Sequence, residues 1–185
     1  MARRNRTIFD KQGNTYFLTT TVMNYDRIFE LGPAYNKIII NSLKHLLKEH
    51  KAKLFAYVIM SSHLHFIVYL PENESIIDFM RDFKKFTSSE IRKLAEKEKR
   101  KNLINRFREN AKLAKNQKYK IWMDRYDDLI IKTERQMKIK VNYIHYNPVK
   151  TEIVNEPEEY VYSSARNYLQ NDQSIIKVTT DWSIY

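Results

Sequence analysis

The sequence predicts an α+β fold whose elements follow the order β-α-β-β-α-β, with one further helix after the last strand. Two observations lead to this prediction. Short segments rich in β-branched and aromatic residues alternate with longer segments in which apolar residues recur every three to four positions. Two of the short segments are separated by only two serines, which is typical of a hairpin. The order is that of the ferredoxin-like, or split βαβ, arrangement, an antiparallel sheet with helices on one face.

The first half of the chain contributes three of the four predicted strands. Residues 14–22 (NTYFLTTTV) form the first, because β-branched and aromatic side chains dominate there. Pro33 begins an amphipathic helix that continues to Lys51. Residues 53–60 (KLFAYVIM) and 63–70 (HLHFIVYL) are the two hairpin strands.

The second half supplies two helices and the last strand. Ser75 is a suitable N-cap for a helix whose apolar period continues through Leu94. A fourth strand is predicted around residues 129–132. The final helix covers about residues 133–146 and stops near residues 147–148 (NP), because proline disrupts a helix interior. The tail that follows shows no clear period.

Length and charge indicate one basic domain. The 185 residues suffice for one sizeable core, so we expect a single domain with a basic arm over about 1–12, a core over about 14–150 and a tail over about 151–185. The formal net charge of +11 is typical of a protein that binds a phosphate-rich partner. Residues 93–120 carry eleven Lys or Arg against three Glu, which fits a solvated helix or loop and equally a nucleic-acid surface.

Several classes of function are excluded by composition. No cysteine is present, which excludes disulfides, thiolate zinc sites and cysteine nucleophiles. The only glycines, Gly13 and Gly32, are too few for a Walker loop or a dinucleotide-binding fingerprint. No apolar run approaches the about 18 residues of a membrane span, and the basic N-terminus lacks a signal-peptide core. We therefore expect a cytoplasmic protein with no membrane partner.

Two histidines stand out on the predicted strand 63–70. His63 and His65 are two positions apart, so both side chains leave the same face of the sheet and their imidazoles can converge on one ion. Leu64 and Phe66 point the other way, toward the predicted helices. A metal site and a pair of ordinary surface histidines both fit this spacing.

The final predicted helix carries a second candidate pair. Tyr143 and Asn147 are four positions apart and share a helix face. If that face met the histidines, the phenol could attack a phosphorus atom while a metal polarised the phosphate. Ordinary packing is the alternative for a helical tyrosine. His145 and Tyr146 face other directions, and core or surface roles are expected for them.

Three groups of residues together carry a resemblance to a known family. They are His63-Leu64-His65 with the following FIV, the segment 143–149 (YIHYNPV), and the tail motifs 157–160 (PEEY) and 162–164 (YSS). With these motifs the chain resembles the REP-associated tyrosine transposases, which belong to the single-tyrosine HUH transposases of the insertion-sequence-200-like group. The resemblance extends from Tyr16 to about Tyr168.

The resemblance implies a reaction and the residues for it. Tyr143 would be the nucleophile on a C-terminal catalytic helix, His63 and His65 would ligate a divalent Mg or Mn ion, and Asn147 matches the position of a third ligand. Family members cleave single-stranded DNA near imperfect hairpins, leave a 5′-phosphotyrosine and a free 3′-hydroxyl, and rejoin the DNA to a second end. No ATP is needed, which agrees with the missing Walker loop. The implied partner is single-stranded or hairpin DNA, and the implied location is the nucleoid.

Four basic side chains are candidates for DNA contact. Residues 81–87 (RDFKKFT) resemble the family's basic helix, in which Lys84 and Lys85 would contact phosphates. Arg3 and Arg4 belong to the basic arm and could track a DNA groove. Solvent-exposed lysines on an amphipathic helix and an ordinary disordered terminus are the alternatives.

Three features depart from the family pattern. Ser61-Ser62 precede the histidine pair where many relatives have a proline and a polar residue, and Glu152 stands where relatives commonly have a glycine after the final helix. The basic insertion around residues 95–118 is longer than in compact relatives. The turn before the histidines and the exit of the final helix are therefore the places where the chain is expected to differ.

Other functions also fit the sequence. A nicking endonuclease would use the same chemistry without strand transfer, and a noncatalytic module would bind single strands by stacking bases on its tyrosines. A water-using hydrolase would keep its activity without the Tyr143 hydroxyl. Related enzymes are monomers or homodimers that exchange the tyrosine helix, so the sequence leaves open whether Tyr143 meets its own chain's histidines.

Overall fold

The computed structural model describes residues 13–112 and 117–182. Its strands and α-helices follow the predicted order, with two α-helices that the sequence did not predict. The strands are β1 (Asn14–Thr21), β2 (Lys53–Ile59), β3 (His63–Leu70) and β4 (Asp127–Ile131). The helices are α1 (Pro33–Glu49), α2 (Ile76–Lys97), α3 (Lys101–Ala111), α4 (Glu134–Lys150) and α5 (Ala165–Leu169).

The four strands form one sheet in the order β2-β3-β1-β4, and every neighbouring pair is antiparallel. In this order α1 connects β1 to β2 across β3, which is the split βαβ connection. The predicted ferredoxin-like α+β fold is therefore confirmed.

The two faces of the sheet are covered by different helices. On one face the alternate β3 residues Leu64, Phe66, Val68 and Leu70 join apolar residues of α1 and α2 in the larger core. On the other face Ile67 belongs to a smaller core with Met137, Val141 and Ile144 of α4. Period-two alternation along β3 thus sends His63 and His65 to the face that α4 covers.

Side-chain caps begin helices α2 and α4. The Ser75 hydroxyl accepts hydrogen bonds from the backbone N–H groups of Ile77 and Asp78 at 3.2 and 3.4 Å, as the sequence predicts. The Thr133 hydroxyl accepts one from Gln136 N–H at 3.2 Å. Each cap satisfies N–H groups that have no partner within their own helix.

The basic stretch after α2 contains a helix. In α3 four side chains, Leu103, Ile104, Phe107 and Ala111, are buried on one face, and the basic residues occupy the other positions. The apolar spacing is helical, but charged residues surround it so densely that charge dominated the sequence pattern. Among residues 13–112 and 117–182, no helix is long and apolar enough to cross a membrane.

Helix α4 continues past the predicted stop, through Pro148 to Lys150. Proline removes only one N–H donor, and here it lies in the last turn with its ring buried. After the Thr151 cap, the N–H groups of Glu152 and Ile153 donate to the carbonyls of Val149 and Pro148, both at 2.9 Å. These two bonds form the Schellman motif, which closes the helix.

The tail covers the edge of the sheet. Ile59 N–H of β2 donates to the Tyr162 carbonyl at 2.9 Å, and Ser164 N–H donates to the Tyr57 carbonyl at 2.9 Å. Further along, Thr179 N–H donates to the Leu54 carbonyl at 2.8 Å. The backbone groups of β2 that an edge strand would leave open are therefore partly occupied, although the tail has no long element of its own.

Glu152 has φ +57°, in the left-handed region that the Schellman motif requires and that favours glycine. We expect Glu152→Gly to raise the free energy of unfolding by about 1 kcal/mol, since the Cβ clash disappears. For a chain of this size the melting temperature should rise by about 2–4 °C. Glu152→Ala is the control, because it removes the same charge and keeps the Cβ atom. Equal stability of the two variants in thermal melts would contradict this account.

Candidate active site

The two histidines of β3 lie side by side on the face covered by α4. Their ring centroids are 4.9 Å apart with planes at 78°. His65 is buried, whereas His63, the first residue of β3, is half-buried. Across the strand pair, Thr19 lies opposite His65 and Thr21 lies opposite His63. The predicted convergence of the two imidazoles is therefore present in the fold.

Residues of β1 fix the His65 ring. Its Nδ1 lies 2.8 Å from the Thr19 hydroxyl, and Phe17 stacks on the ring at a centroid distance of 5.8 Å. With Nδ1 occupied by a hydroxyl, Nε2 is the nitrogen turned toward α4. His63 has a longer contact, 3.4 Å from Nδ1 to the Ser62 hydroxyl. A hydrogen bond to one ring nitrogen of a histidine fixes the orientation of the ring, so that the other nitrogen can bind a metal ion or accept a proton.

Burial keeps both imidazoles neutral near pH 7. It lowers the pKa of His63, and it lowers that of His65 to about 3, with smaller contributions from the nearby His63 and the Lys140 ammonium. A neutral imidazole carries the lone pair that ligates a metal ion or accepts a proton. The pair is thus in the form that the predicted chemistry requires.

Tyr143 of α4 meets this histidine pair within the same chain. The Tyr143 hydroxyl lies 3.5 Å from His65 Nε2, although 78 residues separate the two positions. The ring centroids are 5.1 Å apart at 76°, and Phe17 contacts the edge of the tyrosine ring. Tyr143 remains 37% exposed, so the phenol is held against the histidines and is still open to a ligand from solvent.

Helix α4 has an apolar stripe that packs on the sheet and polar residues that lie on another face. Met137, Val141, Ile144 and Pro148 form the buried stripe, and their spacing is that of one helix face. Asn147 follows Tyr143 by one turn and is 8% exposed. Within the described residues, no hydrogen bond occupies its side-chain amide. Among the same residues there is no group of three or more His, Cys, Asp or Glu that could hold a metal ion.

Two lysines lie against the Tyr143 ring. Lys140 Nζ is 5.7 Å from its centroid and 4.4 Å from that of Phe17. Lys150 Nζ is 5.6 Å from the Tyr143 centroid. Both distances are those of cation–π contacts. The nucleophile candidate is thus flanked by positive charge at positions one turn before it and two turns after it.

The family of the chain follows from comparison with known proteins. The family model described as "Transposase IS200 like" matches residues 15–147, which is more than half of the chain. The chain belongs to the IS200-like transposase family. The match includes both histidines and Tyr143, so the resemblance stated from the motifs is confirmed at the level of the family.

Two relatives of this transposase extend the comparison. A REP-associated tyrosine transposase of Haemophilus influenzae is 26% identical over 155 residues, which are 83% of this chain and 80% of that protein. A solved structure of a REP-associated tyrosine transposase bound to a REP hairpin is 21% identical with a TM-score of 0.66. That likeness covers 99% of this chain and 96% of the other. At this identity it supports the fold.

His145 and Tyr146, the other two ring-bearing residues near Tyr143 on α4, occupy a core and a surface position. His145 is buried, its Nε2 lies 2.9 Å from the Ser164 hydroxyl, and its ring meets Tyr168 at 4.9 Å. Burial lowers the pKa of His145 to about 4, so it fastens α4 to the tail as a neutral side chain. Tyr146 is 49% exposed on the outer surface of the helix.

Two of the candidate DNA contacts, Lys84 and Lys85, lie away from this site. Lys84 and Lys85 belong to α2, on the opposite face of the sheet. The Lys84 ammonium donates to the carbonyls of residues 123–125 at 2.8, 3.2 and 3.2 Å, so it holds the chain that leads into β4. Lys85 is exposed. Arg3 and Arg4 lie outside the described residues.

Sequence reasoning missed three residues of the site. Thr19 could not be found, because its contact with His65 depends on the register of β1 and β3. Lys140 and Lys150 did leave a signal in the sequence, since they lie three positions before and seven after Tyr143 and so share its helix face.

Proposed function

We propose that this transposase cleaves and rejoins single-stranded DNA through a covalent bond between Tyr143 and a 5′ phosphate. The observation that carries the proposal is the meeting of a half-exposed phenol with two neutral, oriented histidines: the Tyr143 hydroxyl lies 3.5 Å from His65 Nε2. A tyrosine with a packing role alone does not require a contact between its hydroxyl and a histidine nitrogen. The family membership supports the same class of reaction.

The proposed step is a transesterification. The Tyr143 oxygen attacks the phosphorus, the bond from phosphorus to the 3′ oxygen breaks, and that oxygen takes a proton to become a free 3′-hydroxyl. The phenol proton passes to a base or to solvent. The products are a 5′-phosphotyrosine and a 3′-hydroxyl end. A second 3′-hydroxyl can then attack the phosphotyrosine and release Tyr143, so one phosphodiester replaces another without an external energy source.

The site fits a divalent cation, which His63, His65 and Asn147 would hold. Both imidazoles are neutral, the Thr19 hydroxyl orients one of them, and the Asn147 amide is available. A bound cation would supply positive charge that stabilises the developing charge on the phosphate. Mg and Mn are the ions proposed. Because Mg²⁺ prefers oxygen ligands, we expect Mn²⁺ to bind this nitrogen-rich set more tightly.

The proposed substrate is single-stranded DNA next to a hairpin. The net charge of +11 favours a polyanion, and one structural relative is itself bound to a REP hairpin. We propose that Lys85, Arg3 and Arg4 contact DNA phosphates. Lys84 is proposed to act on DNA only through the segment that it holds, since its ammonium already binds three carbonyls.

The central prediction concerns the nucleophile. Wild-type protein incubated with Mn²⁺ and a labelled hairpin oligonucleotide from the DNA flanking its gene should form a covalent adduct on the 5′ phosphate. Tyr143→Phe should form none, because the attacking oxygen is gone, while its affinity for the oligonucleotide is kept. EDTA should also abolish the adduct in the wild type. Denaturing gels of the labelled DNA measure both effects.

Tyr146→Phe is the matched control, because it removes a hydroxyl from an exposed tyrosine on the same helix, and it should react like the wild type. Cleavage by Tyr143→Phe would identify a water-using hydrolase or another tyrosine. Binding without any cleavage by the wild type would favour a binding module. Adduct formation without rejoining to an added 3′-hydroxyl strand would indicate a nicking endonuclease.

A second prediction tests the orientation of His65. Thr19→Val keeps the shape of the side chain and removes the hydroxyl at 2.8 Å from Nδ1. We expect Mn²⁺ affinity to fall by about 10- to 100-fold, as is typical when the partner of a ligating histidine is lost. Thr19→Ser retains a hydroxyl and should retain most of the affinity. Titration of free Mn²⁺ by electron paramagnetic resonance measures the change, and equal affinities in the two variants would count against this role.

A third prediction concerns charge. Each phosphate that Lys or Arg neutralises contributes about −0.7 to the slope of log K against log salt for single strands. We expect affinity for the hairpin oligonucleotide to fall by more than about tenfold between about 50 and 200 mM salt. Fluorescence anisotropy measures the binding. A nearly flat dependence would mean that the net charge of the chain plays no part in DNA binding.

A further inference from the structure

The tyrosine helix presents a row of polar side chains to the histidine face, and lysines occupy both ends of it. Lys140, Tyr143, Asn147 and Lys150 follow one another at spacings of three, four and three positions, so they lie along one stripe. Lys140 Nζ and Lys150 Nζ are 5.7 and 5.6 Å from the Tyr143 ring centroid. The two ammonium groups are therefore almost equally far from the centre of the Tyr143 ring.

Neither ammonium is neutralised by the described part of the chain. Within residues 13–112 and 117–182, no ion pair joins Lys140 or Lys150 to a carboxylate. Lys138, on the same helix, does have such a partner in Glu134 at 2.6 Å. Lys140 is also half-buried over Phe17, where fewer water molecules can screen its charge. Two unneutralised cations beside the Tyr143 ring are a site for an anion.

We infer that Lys140 and Lys150 form a phosphate clamp, binding the non-bridging oxygens of the DNA phosphates at the cleavage junction, one on each side of Tyr143. This inference rests on the proposed function, since the phosphates held include the one that Tyr143 attacks. The clamp has two consequences. It positions the phosphorus in front of the phenol, and it places positive charge where negative charge develops during the transfer.

The spacing of the clamp suits a DNA backbone better than a free phosphate ion. The two lysines are ten positions apart on the helix, and a helix rises about 1.5 Å per residue, so their backbones are about 15 Å apart. Both side chains lean toward the ring between them. A DNA strand that runs along this stripe of the helix would meet one lysine before Tyr143 and the other after it.

Binding can be tested without cleavage. In a Tyr143→Phe background, which keeps the ring, Lys140→Gln and Lys150→Gln should each lower affinity for the hairpin oligonucleotide by about tenfold. Each should also reduce the slope of log K against log salt by about 1. Lys138→Gln is the matched control, since it removes the same charge from the same helix, and it should change the slope by much less. Equal slopes for all three variants would overturn the clamp.

Chemistry supplies the second readout. In the active protein Lys140→Gln and Lys150→Gln should slow adduct formation at saturating DNA by about 10- to 100-fold, because a charge-assisted contact to the reacting phosphate is lost. Lys140→Arg and Lys150→Arg keep the charge and should restore most of the rate. Melting temperatures equal to that of the wild type exclude an unfolded variant, and the arginine variants separate charge from packing on the rings.

The two proposals fail in different ways. If the wild type forms no adduct, the transesterification is wrong, and the salt slopes of the three glutamine variants still decide whether the lysines bind phosphates. If the wild type forms the adduct and the Lys140 and Lys150 variants match Lys138→Gln in both rate and slope, the clamp alone is wrong. Loss of rate that arginine does not restore would also overturn it, because packing would then be the cause.

Discussion

The antiparallel pairing of β1 with β3 is the constraint on which the site depends. It places Thr19 opposite His65 and Thr21 opposite His63, and the pleat sends all four side chains to one face. The same pairing brings Phe17 under the His65 ring. A shift of one residue would turn the histidines into the core beneath α1 and α2, where Leu64 and Phe66 now lie. Register therefore decides whether the histidines are packing residues or chemical groups.

A second set of contacts holds the tyrosine helix on that face. The apolar stripe of α4 covers the smaller core, and buried His145 ties the helix to Ser164 at 2.9 Å. Ser164 also accepts a hydrogen bond from Tyr57 N–H of β2 at 2.9 Å, so one hydroxyl joins helix, tail and sheet edge. The tail, which shows no clear period in sequence, thus helps to hold α4 on the sheet. Because Tyr143 projects from a helix fixed at several points, its phenol is positioned by the whole smaller core.

Much of this arrangement was predictable from local patterns. Period-two alternation put His63 and His65 on one face, and helical spacing joined Tyr143 to Asn147, because both depend only on residues close in the chain. The Pro148 stop was wrong, since the proline lies in a last turn that the fold buries and closes with a Schellman motif. Helix α3 was missed because charged residues hid its apolar face. The contact between Lys84 and residues 123–125 could not be predicted from local patterns, because it joins positions about forty residues apart.

By itself the sequence determined which chemical groups the protein has, including a large excess of positive charge. It also determined that the two histidines share a strand face and that the tyrosine shares a helix face with an asparagine. Only the tertiary structure decided that Tyr143 meets His65 of its own chain and that Thr19 orients that histidine. It also decided that no carboxylate of residues 13–112 or 117–182 pairs with Lys140 or Lys150. The physical reason is range. Periodicity follows from backbone geometry within a few residues, whereas these contacts are set by sheet register and by the burial of the apolar stripe of α4, which no short window of sequence contains.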